Sequence, residues 1–90
     1  MLEKLNHKNT PKEVTNAIIE LYYQGKFEEI VKQETELINL CPDSVNLYNI
    51  LGSTNLALKQ FKSAIKNFKK ALEISPNLPE VFYNLGLSFH

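Results

Sequence analysis

Apolar side chains along this chain recur at gaps of three and four, the spacing that places them on one face of a helix. Val14, Ala17, Ile18 and Leu21 form a first run, which Gly25-Lys26 interrupts before Phe27, Ile30, Val31, Leu37 and Ile38 resume it as far as Cys41-Pro42. Tyr48, Leu51, Gly52 and Leu58 define the buried side of a third helix, with a turn at Lys59-Gln60. Phe61, Ala64, Ile65, Phe68, Ala71 and Leu72 then share a single stripe that Ser75-Pro76-Asn77 ends, and Val81, Phe82, Leu85, Gly86 and Phe89 begin another after Pro79. The pattern predicts about five helices. Its punctuation agrees: Thr10-Pro11-Lys12-Glu13 reads as an N-cap, a proline in the first helical position and a glutamate able to close a capping box, and Asp43 or Ser44 can cap the third helix. Ala64 and Ala71 alternate with Phe61 and Phe68, a pattern that lets a neighbouring helix approach closely while the rings fill the gaps.

The pattern repeats. Phe27 and Phe61, Pro42 and Pro76, Tyr48 and Phe82, Leu51 and Leu85, and Gly52 and Gly86 are each 34 residues apart, room for two helices and two short turns. The chain divides into a leader at 1–10, a first unit at 11–44, a second at 45–78 and the opening helix of a third at 79–90. In the second unit Tyr48, Leu51-Gly52, Ala64, Phe68, Ala71 and Pro76 fall at spacings that closely resemble the tetratricopeptide repeat. The resemblance implies an all-α fold, an α-solenoid of antiparallel helix hairpins in a right-handed superhelix. The first unit is degenerate, with Val14, Ile18, Ile30, Glu34 and Leu37 where the family prefers an aromatic, a glycine, an alanine, an aromatic and an alanine. In the second, Asn55 replaces an aromatic and Lys59 a turn glycine. Glu34 and Asn55 lie on faces expected to be internal, which leaves two readings: a buried hydrogen-bonded pair, or a Glu34 solvated at the rim of a terminal unit. In the leader, Leu2 and Leu5 are candidates for a short helical cap.

Composition and charge add exclusions. Ten lysines, no arginine and ten acids give zero net charge, against a chain built for polyanions or acidic membranes. The balance is local: residues 11–44 hold three lysines and seven acids, net −4, and residues 45–78 five lysines and one acid, net +4. Such a dipolar chain is suited to head-to-tail attraction that salt weakens. Lys59, Lys62, Lys66, Lys69 and Lys70 crowd twelve residues, most of them on one helical face, but without arginine or aromatics interleaved on that face they read as a solvated surface rather than a nucleic-acid site. The first ten residues lack the apolar run of a signal peptide and no stretch approaches the roughly 20 apolar residues of a membrane span, so no membrane partner is expected. The single Cys41 suits a reducing compartment, and a cytoplasmic location is expected.

Catalysis is not expected. His7, Cys41 and His90 are the only histidines and cysteine and do not cluster in sequence, so neither a Cys–His pair nor a metal site is indicated, and no glycine-rich phosphate loop is present. No cofactor is expected. The resemblance to tetratricopeptide arrays implies instead a concave groove lined by the first helix of each unit, holding a peptide or protein segment. Turning each apolar stripe inward leaves Lys12, Thr15, Ile19 and Tyr22, then Asn46, Asn49, Ser53 and Leu56, then Glu80 and Tyr83 on that side. A subclass of the family clamps a C-terminal carboxylate with Lys, Asn and Arg. The matching positions here hold Thr15, Ile19, Ile50, Glu80 and Asn84, and only Asn84 fits.

Phe82, Leu85 and Phe89 of the last helix lack a following helix in the sequence, so the chain reads as the N-terminal part of a longer protein or as a unit completed by another copy, and self-association through these residues is expected. Three function classes stay open: a non-catalytic protein-interaction scaffold, the docking or regulatory segment of a multidomain enzyme of glycosyl- or sulfotransferase type, and a self-stacking assembly module.

Overall fold

The computed structural model describes Leu5, Asn6 and residues 8–89; Leu2, His7 and His90 lie outside the described residues. The fold is all-α. Helix α1 spans Pro11–Tyr23, α2 Phe27–Lys32, α3 Glu34–Leu40, α4 Val45–Ala57, α5 Phe61–Ile74 and α6 Pro79–Ser88. Helix α4 lies along α5 and α5 along α6, while α2 and α1 pack on α4 from the other side. None of these helices is long and apolar enough to cross a membrane.

The starts follow the sequence signals. The Thr10 hydroxyl accepts from the Glu13 amide at 3.1 Å and the Glu13 carboxylate accepts from the Thr10 amide at 2.8 Å, closing the capping box. At α4 the cap is Ser44, which accepts from the Leu47 amide. The two hairpin turns share one construction. Gly25 has φ 75° and Lys59, one period later, φ 61°. In each turn that residue donates to a carbonyl three back, Tyr22 or Leu56, and its successor to a carbonyl five back, Leu21 or Asn55. These are Schellman caps, in which the left-handed residue satisfies carbonyls the helix end leaves open.

Among the described residues six helices are found where about five were predicted, because the second helix of the first hairpin breaks at Gln33. That residue has φ −99° and ψ 5°, and its amide bonds to Ile30, three residues back. The physical reason lies in the polar run Lys32-Gln33-Glu34-Thr35-Glu36, which places no apolar side chain between Val31 and Leu37 to hold a straight helix against the core. The pattern survives the break: Ile30 and Leu37 are both buried in the same core.

Among the described residues there are two cores. Val14, Ile18, Leu21, Ile30, Leu37, Cys41, Leu47 and Leu51 fill the first, and Leu5 packs against it. Tyr48, Ala64, Phe68, Ala71 and Val81 fill the second, and Ile38 touches both. Two expectations about burial are corrected. Phe61 is 40% exposed; its counterpart Phe27 rests edge-on against Tyr22 at 5.2 Å, whereas one period later the position of Tyr22 holds Leu56, which offers no ring. Leu85, expected on the uncovered surface, packs against the second core.

Candidate functional site

The hairpins leave a concavity of about 310 Å³ between α1, α4 and α6, lined by Ile19, Tyr22, Tyr23, Asn46, Asn49, Ile50, Ser53 and Glu80. Helical phase explains the lining. On α4, Leu47 and Leu51 point into the first core and Tyr48 into the second, so Asn46, Asn49, Ile50 and Ser53 are turned out between α1 and α6. From α1 come Ile19 and two tyrosines whose rings meet edge to face at 5.8 Å, and α6 contributes the carboxylate of Glu80 at its first turn. Six of the ten predicted groove residues are brought together there: Ile19, Tyr22, Asn46, Asn49, Ser53 and Glu80. Four are not. Thr15 is buried, and its hydroxyl donates to the carbonyls of Pro11 and Lys12 in its own helix. Leu56 packs against the second core, and Lys12 and Tyr83 are exposed outside the cavity wall. Tyr23 and Ile50 went unpredicted as groove residues, although each neighbours a predicted one on its helix.

Asn49 is the most informative member. Its Oδ1 is shielded from water and has no hydrogen-bond partner. A buried acceptor left unpaired costs about 1–3 kcal/mol, and the Oδ1 of Asn55 is buried without a partner in the same way.

On the opposite side a second cleft of about 400 Å³ is bounded by Glu34, Ile38, Tyr48, Lys66, Asn67, Lys70 and Glu73. It brings two of the clustered lysines beside two carboxylates, and Lys70 lies 3.7 Å from Glu73. The wall is charge-balanced and so offers no pull on a polyanion. At its base Asn55, 1% exposed, donates to the Leu51 carbonyl and to Asn67 Oδ1, each at 2.9 Å, and to Glu34 Oε1 at 3.3 Å. Glu34 and Asn55 therefore meet, with Glu34 only half-buried and with Asn67 as a third member that the sequence reading missed. An asparagine set among lysines carries no mark of burial in the sequence.

Cys41 is free and buried, and burial pushes its thiol above the ordinary value. Among the described residues no three His, Cys, Asp or Glu side chains converge on a point that could hold a metal ion.

Residues 56–90 match the family model described as TPR repeat, a span that takes in α5 and α6. Over that span, less than half of the 90 residues, the chain is similar to the tetratricopeptide repeat. The described residues form antiparallel helix hairpins, as such a repeat does. No curated protein matches the chain.

Proposed function

We propose that this chain is a non-catalytic module, of the tetratricopeptide-repeat kind, that holds an extended peptide segment of a partner protein in the groove between α1, α4 and α6. The observation that carries this reading is a groove wall of tyrosine, isoleucine, asparagine and serine, with Glu80 at the α6 side, in which the Oδ1 of Asn49 has no hydrogen-bond partner. An extended peptide supplies a backbone N–H to this oxygen once the Asn49 side chain turns it toward the groove. One of its apolar side chains rests on Ile19, Tyr22 and Ile50, and Glu80 favours a basic residue toward the α6 end. The same carboxylate repels a C-terminal carboxylate, against the chaperone-tail mode. The lone buried thiol of Cys41 suits the cytoplasm.

Asn49→Leu tests the reading. The variant removes an unpaired buried acceptor, so stability in urea rises by about 1 kcal/mol. Its affinity for peptides selected by the parent from a random array falls about tenfold, one hydrogen bond's worth. A stabilised variant that binds those peptides as well as the parent would sink the proposal.

A second reading is favoured by a different observation: Phe82 of α6 and Phe89 at its C-cap are 54% and 65% exposed. Through this face copies of the chain associate, independently of the groove.

A further inference from the structure

Two tyrosines stand at one end of the groove without the hairpin requiring them. One period later their positions hold Leu56 and Ala57, and α4 closes on the same pair of backbone hydrogen bonds as α1. Tyr22 is half-buried and held by ring contacts with Phe27 at 5.2 Å and Tyr23 at 5.8 Å. Tyr23 is 82% exposed, and its ring stands at 85° to that of Tyr22. Both line the concavity between α1, α4 and α6. A braced aromatic ring is therefore presented to the groove with most of its surface in solvent.

Glu80 lines the same concavity from α6. An acid in the first turn of a helix is favourable at any helix start, but the helix does not require that carboxylate to share a cavity with two tyrosines. Among the described residues Glu80 pairs with no cation, the ion pair found there being Lys70 with Glu73. No lysine lines the concavity. Lys12, whose place in the repeat Glu80 takes two periods later, lies outside the wall. An exposed ring and an unpaired carboxylate thus meet in one cavity of about 310 Å³ with no cation of the chain beside them.

That pairing is the complement of a planar cation. The face of an aromatic ring attracts positive charge, and a carboxylate accepts two parallel N–H bonds from a guanidinium, which also stacks flat on a ring and sheds its hydration readily. The ammonium of lysine is compact and strongly hydrated, and matches neither surface as well. Resting on the reading that an extended peptide occupies this groove, we infer that the peptide is anchored by an arginine whose guanidinium stacks on Tyr23 and donates to the Glu80 carboxylate, with Tyr22 as the positioning residue that braces the ring. Ile19 and Ile50 are left to the peptide's apolar residue, so the groove reads a charge and an apolar side chain at separate places.

Peptides that the parent chain selects from a random array test this, each resynthesised with citrulline or lysine in place of arginine. The expected result is an arginine common to the selected peptides. Citrulline, which keeps the shape and loses the charge, weakens binding about tenfold, and lysine falls between. Glu80→Gln and Tyr23→Leu, both at exposed positions, complete the comparison. In Glu80→Gln the arginine and citrulline peptides bind alike, and in Tyr23→Leu arginine loses its advantage over lysine. The citrulline comparison on the parent needs no variant to fold. Peptides that shift groove amides yet share no arginine, or that bind equally well with citrulline, overturn the anchor and leave the groove reading standing. An arginine preference that survives Glu80→Gln, or an advantage over lysine that survives Tyr23→Leu, overturns it as well. Peptides that leave the groove amides unshifted overturn both readings.

Discussion

Two glycines one period apart carry opposite consequences. A methyl built on Gly52 stands 2.5 Å from the nearest ring carbon of the fully buried Phe68, a ring that the second core gives no room to retreat. Gly52→Ala is expected to cost about 1–3 kcal/mol by urea unfolding, while Gly86→Ala, in open space and measured at dilutions where the chain is monomeric, gains up to about 1 kcal/mol from helix propensity. Equal effects at the two positions would contradict the packing described. Cys41 behaves as a small core residue. Desolvation raises its pKa in the fold, so the native thiol keeps its proton where the unfolded thiol has lost it. Below the ordinary thiol pKa both states are protonated and pH has no effect through this residue. Above it the unfolded state ionises first, and stability falls as pH rises. Stability that is flat across that alkaline range in the parent, and the same in Cys41→Ser as in the parent, would contradict this account. At this scale the sequence was half legible. Glu34 and Asn55 stood out because polar side chains replace expected aromatics, but Asn67 did not, since burial of one asparagine on a lysine-rich helix depends on which neighbour it faces.

At the scale of the element, caps and turns were the most readable features because each is decided by a few adjacent residues. Thr10-Pro11-Lys12-Glu13 is such a case, and Lys59 is the instructive exception. It occupies the left-handed position that Gly25 holds in the first hairpin, with the same pair of backbone hydrogen bonds. A side chain there costs about 1–2 kcal/mol relative to glycine, part of which glycine's looser unfolded state returns. Lys59→Gly should therefore raise the unfolding midpoint, by up to about 1 kcal/mol. A lower midpoint would mean that the lysine side chain contributes an interaction the backbone geometry does not reveal. The break at Gln33 was not legible, because Ile30 and Leu37 are seven residues apart, a spacing that a continuous helix and two short ones joined by a single turn residue satisfy equally.

For the molecule as a whole, neutrality conceals a division of charge, with an acidic first segment and a basic second one, and the hairpins arrange a groove whose polarity owes little to either. Its wall mixes aromatic, aliphatic and amide side chains around Asn49, with Glu80 as the one charge. The groove was legible in outline because helical phase alone turns Asn46, Asn49 and Ser53 to one side. Thr15 and Leu56 were misplaced because neighbouring structure, not phase, decides which edge of a stripe is covered. The central claim, that this groove receives an extended peptide, is tested most directly by amide chemical-shift mapping with an array-selected peptide. The account predicts shifts concentrated at Ile19, Tyr22, Asn46, Asn49, Ile50 and Ser53, with the Asn49 side-chain amide among the most affected. Shifts confined to the lysine face of α5, or to Phe82 of α6 and Phe89 at its C-cap, with the groove silent, would contradict it.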